Sequence, residues 1–170
     1  ILIQDALGFE RPQYLHLPLI LAPDRTKLSK RRHATSLGDF RDRGYLASGL
    51  ANFLAFLGWN SVTEQDIFSM DELIAAFDLS KIQKSPAIFD EVKLKWVNRE
   101  HMLRMPSDDF VKTVMPFIST ESAACVQKTP AVAEVLRERA STFGEIREAD
   151  EAGEYAYFYK TPTVAAEALI

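Results

Sequence analysis

Lys27-Leu28-Ser29-Lys30-Arg31 sets two lysines three residues apart, with Arg25 just before the run and Arg32 just after it. An ammonium on a flexible stem is a compact charge for phosphate oxygens, and several on one loop can follow negative charge from ground state to transition state. Phosphoryl or nucleotidyl transfer is the chemistry this suits. A bare K-x-S-K pentapeptide recurs by accident and by itself reads as a solvated basic turn, so its surroundings must decide. Residues 24–43 carry seven Lys/Arg against three Asp/Glu, a local net of +4 in a chain whose whole net charge is −4. A second basic stretch, 81–104, has six against three, whereas 105–170 has six against eleven. A polyanion should therefore meet the first two stretches.

Few other residues offer chemistry. Cys125 is the one cysteine, so no internal disulfide can form, and no cysteine or clustered histidine stands ready to make a zinc site. A buried structural thiol in a reducing cytosol is the expectation, and no metal-ligating residue is expected. His33 follows the basic loop and is expected to be solvated, and His16 to pack or hydrogen-bond near the strand. His101 sits on a basic helical face, where a surface role and a touch on RNA backbone stay open. Phe53, Phe56, Trp59, Phe68, Phe77 and Trp96 recur with helical spacing and are expected in the core, and Tyr155 to Tyr159 between helices.

The elements that must position the loop follow from periodicity and punctuation. Residues 2–8 read as a helix closed by Gly8; Gln13–Leu17 and Leu19–Leu21 read as short buried strands interrupted by Pro18. Asp24–Thr35 has no period and should be an exposed loop. Ser36 with Asp39 and Ser69 with Glu72 resemble capping boxes. The expected apolar faces are Leu37 and Phe40 before Gly44, then Leu46, Leu50, Phe53, Leu54 and Leu57, then Leu73, Ile74 and Phe77. Asp90 caps a longer helix with Val92, Trp96, Val97, Met102 and Leu103 on one face and Lys93, Lys95 and Arg99 on the other. Pro106 breaks it, and Ser107, Thr129 and Thr161 are expected N-caps, the last two followed by proline.

The 170 residues are 47% hydrophobic and 26% charged, ordinary values for a globular chain with a substantial core. The longest apolar run, Leu17–Ala22, is too short for a bilayer and contains Pro18, so the chain reads as soluble, with neither a membrane span nor a signal peptide. It begins Ile1-Leu2-Ile3 and stops at Ala168-Leu169-Ile170 within an apolar helical pattern, so a piece of a longer polypeptide is expected.

His16 through Arg31, with its Leu17-Pro18-Leu19-Ile20-Leu21-Ala22-Pro23-Asp24 approach to the loop, resembles the strand and signature loop of class I aminoacyl-tRNA synthetases. The K-L-S-K-R form is similar to that of bacterial-type glutamyl-tRNA synthetases. Thr35-Ser36-Leu37, Gly44-Tyr45-Leu46, Leu50 to Trp59, Phe89-Asp90 and Lys93 to Asn98 resemble the helices that follow, so the likeness spans roughly the first 105 residues and is far more specific than the pentapeptide. Leucine at 28 and arginine at 31 replace the commoner Met and Ser of the class-wide motif.

The resemblance implies a mainly α fold: 1–23 the end of a Rossmann-type α/β nucleotide-binding domain, 24–106 the signature loop and a helical stem-contact domain, 107–170 the start of a helical anticodon-binding domain. It implies activation of glutamate by ATP and transfer to the 3′ end of tRNA(Glu), with Mg²⁺ accompanying the ATP. By resemblance Lys27 and Lys30 are the catalytic residues, Lys30 foremost, and Ile20, Leu21, Lys27, Leu28, Ser29, Lys30 and Arg31 form this chain's share of the ATP site. Lys81, Lys84, Lys93, Lys95 and Arg99 are the expected tRNA contacts. The family's H-I-G-H-type element is expected upstream of Ile1, so these residues alone are not expected to be a competent enzyme. A cytoplasmic monomeric parent is expected. Two other readings stand beside it: a noncatalytic RNA-binding or scaffold module, and a related enzyme of the same fold. The latter is a glutaminyl-tRNA synthetase, disfavoured because the segment after Ser107 reads as helical, or the short paralogue that glutamylates a modified tRNA base, disfavoured because helices continue well past the loop.

Overall fold

A computed structural model describes residues 1–29, 36–61 and 63–160. Nine α-helices and one parallel strand pair occupy the described residues: α1 (Leu2–Leu7), β1 (Ile20–Leu21), α2 (Leu37–Asp42), α3 (Ala47–Phe56), α4 (Met70–Ala76), β2 (Ala87–Ile88), α5 (Glu91–Arg104), α6 (Ser107–Val114), α7 (Thr120–Lys128), α8 (Ala131–Arg139) and α9 (Phe143–Glu151). Local signals set most boundaries. Ser36 and Asp39 form a reciprocal capping box at α2, as do Ser69 and Glu72 at α4. Asp90 accepts from the backbone N–H groups of Val92 and Lys93 at the start of α5. Gly8 turns left-handed at the end of α1, and Pro106 separates α5 from α6.

Three apolar clusters hold these elements. Phe40, Tyr45, Leu50, Phe53, Leu57, Ile67, Phe89, Leu94 and Val97 make the first, beneath β1. Trp59, Phe68 and Leu73, with Phe56 against them, make a small aromatic satellite. Phe110, Val114, Val126, Leu136, Phe143, Ile146 and Tyr155 centre the third, which takes in Met102 from α5. α5 therefore belongs to two cores at once, giving Leu94 and Val97 to one and Met102 to the other.

Several expectations are corrected. Gln13–Leu17 forms no strand and Leu19 lies outside β1; Tyr14, Leu15, Leu17 and Leu19 are more than half exposed. A strand needs a ladder partner for its N–H and C=O groups, and β2 supplies one for two residues only. β2 adds a short strand at Ala87–Ile88 to the region after the loop. On α5 two stripes compete: Val92 and Trp96 are 79% and 42% exposed, while Leu94, Val97, Asn98 and Met102, spaced i, i+3, i+4 and i+8, are buried. Leu37, Leu54, Ile74 and Phe77 are also exposed. Ser107 is the first residue of α6 rather than its cap, and Thr129 ends α7 while Pro130 takes the N-cap position of α8. His16 is exposed. Cys125 is half-buried, its thiol 3.6 Å from the Phe158 carbonyl it donates to. His33, Thr161 and the last ten residues lie outside the described residues.

Two buried asparagines tie segments far apart in sequence. Asn98 accepts from the Leu46 N–H at 2.8 Å and donates to the Ser141 carbonyl at 2.6 Å, joining α5 to the entrances of α3 and α9. Asn52 donates to the Asp66 carbonyl at 3.1 Å and its oxygen accepts from the Phe68 N–H at 2.8 Å. That orientation makes the same oxygen an acceptor for His101 Nε2 at 3.0 Å, so His101 carries its proton on Nε2. His101 is thus half-buried and hydrogen-bonded rather than a plain surface residue.

Burial first, and then the Arg104 charge, hold the His101 imidazole below its ordinary value of 6.5. Arg104 and Glu72 share its cleft. The unfolded chain therefore takes up this proton more readily, and stability present above pH 6.5 is lost as pH falls below it. Urea unfolding of the chain from pH 8 toward 5.5 should show this loss, and His101→Gln should flatten it; equal slopes for both would contradict it.

Candidate active site

The basic loop leaves β1 through a tight hairpin whose hydrogen bonds are all local. Arg25 N–H donates to the Ala22 carbonyl at 2.8 Å, closing a turn with Pro23 at its second position, and Ala22 N–H donates to the Thr26 carbonyl at 2.8 Å. One Asp24 carboxylate oxygen accepts from the Thr26 N–H at 2.9 Å and the Thr26 hydroxyl at 2.7 Å. The returning chain then bridges Leu21 to Lys27 antiparallel, and Leu28 N–H donates to the Ile20 carbonyl at 3.2 Å.

This register sorts the side chains. Leu21 and Lys27 stand opposite each other and share one face, while Ile20 and Leu28 take the other, packing on the cluster that contains Phe40 and Phe89. Leu28 thus anchors the motif while Lys27 stays exposed. On the far side of β1, Ala87 N–H donates to the Leu19 carbonyl at 3.1 Å and Phe89 N–H to the Leu21 carbonyl at 2.8 Å. The ladder brings Ile20, Leu21, Lys27 and Leu28 together, with Ser29 next in line. Lys30 and Arg31 lie outside the described residues.

The second basic stretch divides. Lys81 and Lys84 are exposed and make no ion pair among the described residues. Lys93 lies 3.6 Å from Asp66, with both side chains about half exposed. Lys95 donates to Glu145 at 2.8 Å, and Arg99 donates to the Glu138 carbonyl at 2.8 Å. The Glu145 hydrogen bond raises the Lys95 pKa. Burial alone would raise the Glu145 carboxyl, but the Lys95 and Ser141 hydrogen bonds outweigh it and hold it low. Lys95 and Arg99 therefore already serve the contact between α5 and the last helices. Among the described residues no three His, Cys, Asp or Glu side chains converge as a metal site.

Residues 1–96 match the family described as tRNA synthetases class I (E and Q), catalytic domain. The chain belongs to this family. Among relatives of the glutamyl and glutaminyl synthetase family, it is 39% identical over 168 residues to a glutamate–tRNA ligase of Desulforudis audaxviator, covering 95% of this chain. It is 42% identical over 157 residues to that of Carboxydothermus hydrogenoformans, covering 87%. The chain spans 32% of the length of each of these curated relatives. A crystal structure of a glutamate–tRNA synthetase from Elizabethkingia anophelis superposes with a TM-score of 0.73 at 27% identity, covering 99% of this chain and 37% of that one. The mostly helical fold with its small two-stranded sheet is thus the fold of a synthetase segment.

Sequence reasoning missed the turn itself. Pro23-Asp24 followed by a left-handed residue is a signal for a hairpin of this type, but glycine is the usual third residue and Arg25 obscured it. Asn52 and Asn98 gave no local signal at all.

Proposed function

We propose that the full-length protein is a glutamate–tRNA ligase. The observation that carries this is the hairpin that delivers Lys27 of a Lys-Leu-Ser-Lys-Arg run onto the Leu21 face of β1, inside a stretch matched by a synthetase catalytic-domain family. In the reaction a glutamate carboxylate oxygen attacks the α-phosphorus of ATP, the α–β phosphoanhydride bond breaks, and pyrophosphate leaves. A ribose hydroxyl of the terminal adenosine of tRNA then attacks the glutamyl carbonyl, and AMP leaves. Lys27 and Lys30 would neutralise the charge that moves onto the departing pyrophosphate, and the backbone of Ile20 and Leu21 would border the adenine. Leu28 and Ser29 would hold the loop to the strand, and Arg31 would add charge. Mg²⁺ would accompany the ATP phosphates and help to neutralise them.

In this reading residues 1–23 end a Rossmann-type domain, 24–106 form the loop and stem-contact unit, and 107–170 begin an anticodon-binding unit. Partners are ATP, glutamate and tRNA(Glu), and the enzyme is a cytoplasmic monomer. No described helix is long and apolar enough to cross a membrane. The helices α6 to α9 after Ser107 favour glutamate over glutamine, whose enzymes resemble this one up to that point and then carry β-barrels. Glutamate-dependent ATP–pyrophosphate exchange by the full-length protein tests the reading. Glutamine-dependent exchange would assign the other branch, and RNA retention without exchange would leave a noncatalytic binder.

The divided lysines sharpen the tRNA expectation. Neutralising Lys81, Lys84 and Lys93 should lower the slope of log affinity against log salt by about 0.7–0.9 for each tRNA phosphate that is no longer paired with a cation. Lys95→Ala and Arg99→Ala should change stability more than slope. A salt series of tRNA binding in which the three-residue variant keeps the parental slope would place the tRNA elsewhere.

A further inference from the structure

We infer that Arg25 is a substrate contact, its guanidinium taking triphosphate oxygens of ATP from the same hairpin that presents Lys27. This rests on the ATP-dependent reading above and adds to it a residue outside the K-L-S-K-R run. Arg25 has φ 63°, the one non-glycine residue with positive φ among those described. It occupies the left-handed position that follows a Pro-Asp turn and closes a three-residue hairpin loop, where glycine sits without a steric cost and an arginine Cβ does not. The strained conformation persists because the loop is over-determined by the Ala22–Thr26 and Arg25–Ala22 backbone bonds and by the Asp24 carboxylate on Thr26.

Among the described residues the side chain makes no contact that would offset this strain. Arg25 is exposed, and its guanidinium makes no hydrogen bond, ion pair or ring contact with any described residue. Nothing among the described residues engages it. It stands two residues before Lys27 in a segment of net positive charge, and a guanidinium is a planar fork that matches phosphate oxygens bidentately. Phosphate is the ligand chemistry that both cations share.

The experiment separates charge from turn geometry by two opposed substitutions. Glycine relieves the positive φ and deletes the charge; lysine keeps the strain and the charge. Glutamate-dependent ATP–pyrophosphate exchange is measured against ATP concentration for the full-length wild type, Arg25→Gly, Arg25→Lys and Arg25→Ala, with thermal unfolding alongside. Arg25→Gly should unfold at or above the wild-type temperature yet lose about ten- to a hundredfold in kcat/KM for ATP, the size of one hydrogen bond to a charged group. Arg25→Lys should recover most of that loss, and KM for glutamate should stay put. If Arg25 serves only the turn, the order reverses: Arg25→Gly matches or exceeds the wild type and Arg25→Lys does no better than Arg25→Ala, which overturns the inference while leaving the enzyme reading intact. A wild type with no amino-acid-dependent exchange would overturn both.

Discussion

Alanine at position 30 in the full-length protein should cut glutamate-dependent ATP–pyrophosphate exchange by about a hundred- to a thousandfold, the usual loss when one group that stabilises developing charge is removed. Lys30 is the second lysine of the run, three residues beyond Lys27, whose backbone is fixed against Leu21. The hairpin therefore fixes the start of the run, at Lys27. Charge neutralisation at the pyrophosphate is needed most in the transition state, so kcat should fall more than KM for ATP rises. Lys27→Ala should be milder. Folding should be nearly unaffected, since a charged loop residue contributes little packing, and the urea midpoint of the variant serves as the control. Exchange within a few-fold of wild type in a folded Lys30→Ala protein would remove Lys30 from the site.

Gly44→Ala should destabilise the chain by about 2–5 kcal/mol, because two separate costs meet at one atom. Gly44 has φ 76°, where a Cβ is strained whatever surrounds it. That Cβ would also lie 2.3 Å from the backbone nitrogen of Gly144 and 2.8 Å from Phe143 atoms, which are backbone and core and cannot swing aside. The approach is set by Phe143 N–H donating to the Gly44 carbonyl at 3.0 Å, at the end of α2 and the start of α9. Relieving the overlap would separate α9 from the loop-bearing unit and pull on the neighbouring Asn98 and Lys95–Glu145 contacts. Gly38→Ala is the matched control: its Cβ would meet only Ser36 Oγ at 3.6 Å, within α2, where alanine is the better helix former. Urea unfolding in which Gly44→Ala lies within about 0.5 kcal/mol of wild type, or tracks Gly38→Ala, would show that this contact yields easily.

The sequence by itself determined the features whose causes are a few residues apart. The capping boxes at Ser36 and Ser69, the Asp90 cap, the glycine stops at Gly8 and Gly44 and the break at Pro106 are local hydrogen-bond and steric events, legible wherever the residues appear. The charge-dense loop and its chemistry were legible for the same reason, and the run from His16 to Asn98 carried the family likeness. Tertiary structure decided the rest. Whether Gln13–Leu17 becomes a strand depends on a neighbour to pair with, and composition holds no record of that neighbour. Which α5 stripe faces inward was undecidable from period alone, because Val92 with Trp96 and Leu94 with Asn98 both have helical spacing; packing against α3 and the third core chose the second. The same packing pairs Lys95 and Arg99 with the last helices while leaving Lys81 and Lys84 without an ion pair among the described residues, a division invisible to a charge count. His101 and the two asparagines owe their states to partners some 15 to 50 residues away in the chain. Arg25 shows the boundary most clearly, since its residue type argues against a left-handed backbone and only the closed ladder between Leu21 and Lys27 imposes it.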